Sequence, residues 1–203
     1  MARRDRSPRQ RLEPEERRER IVEAASAAFT TAPYREVGLA GIALAASASE
    51  ALVYRYFTGK AELYAEVVRR AVDRFVQRQD DALAQLAPGA PVRDRIRAAT
   101  LVHLDTVAAH PAGWGAPLLG SAEEPAQVAQ VRTAARADQV ERLRALLKAR
   151  EGRRREFALW GFFGFLDTAC LRWVDTGCPE QERWPLVEAA LGALEGGLGD
   201  WDA

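Results

Sequence analysis

The residues whose types and spacing could do chemistry lie between positions 38 and 60. Ser49 is followed by Glu50, Ala51 and Leu52, then by Tyr54-Arg55-Tyr56-Phe57, with Lys60 three residues beyond. A phenol, a guanidinium and an ammonium within a few helical turns are groups that hold phosphate oxygens and, for arginine, read base edges. They are not a catalytic set. Only two histidines occur, His103 and His110, and Asp105 is the one metal-type ligand near them, so they read as surface or cavity-rim residues; no metal site and no cofactor is expected. Thr58-Gly59-Lys60-Ala61 lacks the upstream glycine and the Ser/Thr of a phosphate loop, and neither GxSxG nor HExxH is present. Cys170 and Cys178 flank a predicted helix end without metal spacing and read as simple thiols. An enzyme is not expected.

The chain has 203 residues, 48% of them hydrophobic, with 29 Lys and Arg against 29 Asp and Glu. That is a soluble globular composition with no global field to draw in nucleic acid. Charge is instead uneven. Residues 1–60 hold eleven basic and eight acidic side chains, and the first eleven residues hold five arginines and one aspartate. This arm can reach phosphates or a minor groove, or can be a solubilising tail. No run approaches the roughly 18 apolar residues of a membrane span. A cytoplasmic protein that does not enter a membrane is expected.

Pro and Gly punctuate Ala-, Leu- and Arg-rich segments of helical periodicity, which predicts an all-α fold of about nine helices. The segments are Pro14 to Thr31, Leu39 to Ala46, Ser49 to Tyr56, Lys60 to Leu86, Val92 to Ala109, Gly113 to Leu119, Pro125 to Arg150, Arg155 to Thr176 and Glu180 to Leu198. They divide into a basic arm at 1–13, a three-helix head at 14–60 and a larger helical unit at 61–203.

Small apolar contacts at Ile42-Ala43 and Ala46, then a helix of about two turns opened by Ser49, suit a helix-turn-helix. A plain helical hairpin is the alternative. The stretch resembles the TetR-type transcriptional repressors in Arg20-Ile21, Ala24-Ala25, Phe29, Tyr34, Ile42-Ala43, Ala46, Ser49, Val53-Tyr54-Arg55-Tyr56-Phe57, Lys60 and Glu62-Leu63-Tyr64. The resemblance implies a head that binds double-stranded DNA, with Ser49 capping the recognition helix. Gly38, Ala40, Glu50, Ala51, Leu52 and Arg55 then lie toward bases or nearby backbone, and Tyr54 and Lys60 at phosphates. Three positions depart from the pattern: Gly38 replaces a capping Thr, Ser47 a turn Gly, and Glu50 a Lys or Gly. A carboxylate at position 50 repels phosphate or accepts from a cytosine amine, or else faces its own helix dipole.

The resemblance also implies that the larger unit binds a small-molecule effector and forms a homodimer. Arg155 to Thr176 is apolar on two faces. One carries Phe157, Trp160, Gly161, Gly164, Thr168 and Leu171, and the other Leu159, Phe162, Phe163, Leu166, Cys170 and Trp173. Periodicity does not say which meets ligand and which meets a second subunit. The expected effector site comprises Leu101, Leu104, Trp114, Leu118, Trp160, Phe163, Gly164, Asp167 and Leu171, with Asp167 paired to Arg172, another Arg or a cationic ligand. The expected dimer interface comprises Phe162, Trp173, Trp184, Val187, Leu191, Leu194 and Leu198, with intrachain core as its alternative. The function read from all this is a repressor released from a palindromic operator by a small molecule. The alternative is a ligand-binding helical dimer whose DNA recognition is weakened or lost.

Overall fold

The computed structural model describes residues 13–109, 124–148 and 152–199. The described residues form eight α-helices and a single 3-10 turn, with no strand. The expected ninth helix, Gly113 to Leu119, lies outside them, as do Trp114, Leu118, His110 and residues 1–12 of the arm. The chain divides into two compact units between Tyr64 and Ala65, slightly beyond the break expected near 60.

The first unit contains α1 (Pro14–Thr31), the 3-10 turn (Tyr34–Glu36), α2 (Leu39–Ala45), α3 (Glu50–Tyr56) and the start of α4 (Lys60–Ala84). Pro14 opens α1, where a missing N–H costs nothing, and a capping box joins Glu13 and Glu16. Ile21, Val22 and Ala25 of α1, Ile42 and Ala43 of α2, and Val53 of α3 are buried, so three short helices share one apolar centre. Phe29 and Tyr34 close it against Tyr64, with ring centroids 4.5 and 5.1 Å from the Tyr64 ring.

The α2–α3 turn is a Schellman ending. The Ala48 N–H donates to Ala43 O at 2.8 Å and the Ser47 N–H to Leu44 O at 3.0 Å, which places Ser47 at φ 53°. A left-handed conformation costs an L-residue roughly 1 kcal/mol that glycine avoids. Ser47→Gly should therefore raise the head's stability by about 0.5 to 1 kcal/mol, read as a higher urea midpoint at unchanged slope; an unchanged or lower midpoint would contradict this account.

The second unit holds the rest of α4, α5 (Val92–Ala109), α6 (Ala126–Leu147), α7 (Arg153–Asp175) and α8 (Glu180–Leu198). Its most extensive packing is α7 on α8, where Gly197 passes so close to Ala158 that an added Cβ would stand 3.0 Å from the Ala158 Cβ. Leu159, Leu166, Cys170 and Trp173 of α7 meet Val187, Ala190, Leu191 and Leu194 of α8 in one core. Arg93 and Arg97 of α5 both reach Glu188 of α8, at 2.9 and 3.2 Å, and Arg183 of α8 pairs with Asp105 of α5. Gly177, at φ 82°, ends α7 in a second Schellman turn, the Cys178 N–H donating to Trp173 O at 2.9 Å. Cys170 and Cys178 are free thiols, and burial pushes Cys170 up to about 12.

By length and mean hydropathy alone, α7 suffices to cross a bilayer, which the run of residues did not suggest. It carries Glu156, Asp167 and Arg172, however, and buries one side in the core just described.

Candidate functional site

Two places in the molecule concentrate unspent chemistry, one in each unit. In the first unit, the Ser49 Oγ accepts from the Leu52 N–H at 3.2 Å and so fixes the start of α3. Val53 is fully buried, and helical phase then turns Glu50, Ala51, Tyr54 and Arg55 outward. Gly38, Ala40 and Ser49 are also exposed, while Leu52 and Lys60 are half-buried. Glu50 occupies the first turn of α3, where a carboxylate complements the helix dipole. Gly38 is the N-cap of α2 and gives it no side-chain cap. Leu44 was not singled out by its sequence pattern, yet it is 81% exposed beside this surface. It follows Ala40 by four residues on α2, the one signal that could have placed it there.

Lys60 is largely committed within the head. Its ammonium donates to Tyr34 O at 2.8 Å and Val37 O at 2.9 Å and lies 4.3 Å from the centre of the Tyr34 ring. It is thus the clamp for the 34–37 turn, with at most one N–H left for a phosphate. Lys60→Met should cost the head about 2 kcal/mol, because two charge-assisted bonds are lost and two carbonyls return to water. Native-state hydrogen exchange of α2 and α3 is the check, and unchanged protection would refute the clamp. The adjoining Glu62 carboxylate accepts from the Thr58 N–H and hydroxyl at 2.6 and 2.7 Å, closing the entry to α4.

In the second unit, a cavity of about 270 Å³ opens among α4, α5, α6 and α7. Its apolar wall includes Leu83, Ile96, Leu143, Phe162, Phe163 and Leu166. Its polar wall comes from Gln79, Asp80, Arg95, Thr100, His103, Gln139 and Arg142. His103 is not a surface residue: it is 4% exposed, with its ring 5.9 Å from that of Phe75. Burial, then the nearby Arg136 charge, pushes its pKa down to about 3, so the imidazole is neutral at physiological pH.

Of the two apolar faces of α7, left unassigned by periodicity, the one bearing Phe162, Phe163 and Leu166 meets the cavity. Phe162 and Phe163 both line the cavity, and Trp173 is buried with its indole N–H donating to Pro179 O at 3.0 Å, so it anchors the α7–α8 turn. Trp160 and Gly164, expected at the ligand, are exposed one helical face away; Trp160 is 43% exposed and donates to Glu156 at 2.8 Å. Leu104 is core, while Leu101 and Leu171 are half-buried and stand outside the cavity wall. Asp167 is bound by Arg136 at 2.6 and 2.7 Å rather than by Arg172, and Arg136 also stacks 4.7 Å over the Phe163 ring. Burial raises the Asp167 pKa against the opposing pull of Arg136. Val187, Leu191, Leu194 and Leu198 are buried within the single chain, which leaves Trp184, 56% exposed, as the outward member of the expected interface.

Residues 21–67 match the family model for the bacterial regulatory proteins of the TetR family, N-terminal domain. That stretch is similar to the N-terminal domain of the TetR-type transcriptional regulators. Among the chain's relatives is the HTH-type transcriptional activator FasR of Mycolicibacterium smegmatis, 33% identical over 128 residues, which cover 63% of this chain and 57% of FasR. The chain thus matches less than two thirds of that curated relative's length. A tetR-family transcriptional regulator from Streptomyces coelicolor superposes with a TM-score of 0.73 at 24% identity, over 92% of this chain and 80% of the other. FadR of Bacillus subtilis, solved in complex with stearoyl-CoA, superposes with a TM-score of 0.66 at 17% identity, over 89% of this chain and 97% of its own. At these identities the superpositions establish the shared all-α fold.

Proposed function

We propose that the chain is a cytoplasmic, homodimeric DNA-binding repressor whose hold on a palindromic operator is released by a small molecule. The observation that carries this reading is the outward face of α3, where a capped short helix buries Val53 and offers Glu50, Ala51, Tyr54 and Arg55. Side chains at that spacing suit a major groove, with the Tyr54 hydroxyl at a phosphate and Arg55 at a base or phosphate.

Dimerisation is supported by the outer faces of α7 and α8. Phe157, 67% exposed, and Trp160 stand on α7 beside exposed Gly161 and Gly164, while Trp184, Gly192, Ala193 and Gly196 are exposed on α8. Large aromatics next to small residues allow two helix pairs to cross closely, as a symmetric four-helix interface requires. The 270 Å³ cavity is the effector site. An effector that binds better in a state with misspaced heads lowers operator affinity by the ratio of its affinities for the two states.

A second reading, a ligand-binding dimer with weakened or lost DNA recognition, is favoured by one observation: Gly38 leaves α2 without a side-chain cap. Selection of bound duplexes from a random DNA pool at near-physiological salt separates the two. The repressor reading expects a palindrome with half-sites about 34 to 36 Å apart. Recovery of no motif from a folded dimer would overturn it in favour of the second.

A further inference from the structure

The polar groups of the cavity do not balance one another. Arg142 is paired with Asp80, and the Gln79 amide donates to Ala99 O at 3.3 Å. Arg95, half-buried in the same wall, has no hydrogen bond or ion pair from its side chain among the described residues. The Gln139 Nε2 is buried there without a partner. Both unspent groups are donors. A buried donor left unpaired is costly, and an unpaired guanidinium on an apolar wall asks for an anion. The charge sum is equally plain. His103 is neutral, Arg142 is neutralised by Asp80, and Arg95 leaves one net positive charge along the wall.

We infer that the cavity takes a monoanionic amphiphile, a carboxylate on an apolar chain, with the carboxylate held by Arg95 and the Gln139 amide and the chain lying against Ile96, Leu143, Phe162 and Phe163. Arginine offers a carboxylate a planar fork of donors, and the Gln139 N–H satisfies a further lone pair. Volume limits the chain length. A space of about 270 Å³ holds about nine water-sized groups at roughly 30 Å³ each. That fits the apolar carbons of a ten-carbon acid, whereas a chain near twice that length would run out through the open side and gain little further burial. The inference deepens the effector role proposed above and rests on that reading for its regulatory meaning, though not for the binding itself.

The test is isothermal titration of the full-length protein with sodium decanoate, decanol and decyltrimethylammonium, each below its micellar range. Decanoate should bind best and the ammonium worst. Arg95→Met should weaken decanoate by about tenfold or more, as loss of a charge-assisted contact does, while decanol affinity stays unchanged and so shows the cavity intact. Gln139→Leu should weaken decanoate by a smaller factor. Equal binding of decanoate and decanol to the unmodified protein, or an Arg95→Met variant that keeps its decanoate affinity, would overturn the inference; so would palmitate binding more tightly than decanoate. Operator affinity, followed in parallel, separates the two ideas. Decanoate that binds through Arg95 without altering operator affinity supports the ligand class and refutes the effector role. Release of operator by the uncharged alcohol alone supports the effector role and refutes the ligand class.

Discussion

Under the proposed dimeric reading, Gly164→Trp should leave a folded monomer. In the single chain, a Cβ at Gly161, Gly164, Gly192 or Gly196 meets nothing within 4 Å, so own-chain packing does not explain small residues at all four positions. A glycine inside a helix costs about 1 kcal/mol relative to alanine, so the isolated subunit would be better served by larger residues here. The proposed second subunit on this face would supply the reason. The bulky indole should leave the monomer's helical content and melting intact, halve the mass in sedimentation velocity, and weaken binding to a full palindromic site by roughly 10²-fold or more through loss of bivalency. Gly164→Ala is the control, adding a methyl group that raises subunit stability by up to about 1 kcal/mol. A Gly164→Trp protein that sediments as a dimer would place the interface elsewhere.

The second large effect is acid sensitivity from His103. The folded protein holds this imidazole neutral down to about pH 3, whereas the unfolded chain protonates it near pH 6.5. Its burial therefore costs nothing above pH 6.5, and stability falls as pH drops from there toward 3, because the unfolded state binds the extra proton. The slope approaches 1.4 kcal/mol per pH unit, or about 2 to 3 kcal/mol between pH 6.5 and 4.5. Asp167 acts in the opposite direction. Its raised pKa lets the folded state take up a proton before the unfolded state does, which favours folding as pH falls through its folded-state pKa. Urea midpoints at pH 7, 5.5 and 4.5 measure the balance. His103→Gln should flatten the dependence; an equally steep fall in that variant would assign the acid sensitivity to other groups.

Much of this architecture is legible from residue types because the stops are chemical. Pro125 and Gly177 bound helices where the absence of an N–H or of a Cβ leaves little choice, and Ser49 starts α3 where its hydroxyl is needed. The faces of α7 are less legible for an equally physical reason. Phe157 and Trp160 are as apolar as Phe162 and Phe163, so periodicity separates two faces without saying which one water touches. The polar cavity wall is the least legible part. Gln79, Arg95, His103 and Gln139 lie on three helices, and no local spacing joins them. His103 appears peripheral as an isolated histidine, and only the packing of Phe75 and the neighbouring helices around it makes it a buried neutral ring. Lys60 shows a different limit: its type suits a phosphate, but two backbone carbonyls claim most of its donors first.

The close seating of α8 on α7 also bears on how the chain is made. The inner side of α7 is covered by Val187, Ala190, Leu191 and Leu194, which are synthesised after it. The head, which ends at Tyr64, is synthesised long before that point. A ribosome needs about 1 to 4 s to add the 19 residues of α8 at roughly 5 to 20 residues per second. For that interval the nascent chain carries a finished head and an uncovered apolar helix. Chaperone demand should therefore peak between the completion of α7 and the emergence of α8, and nascent chains stalled there should be the aggregation-prone species.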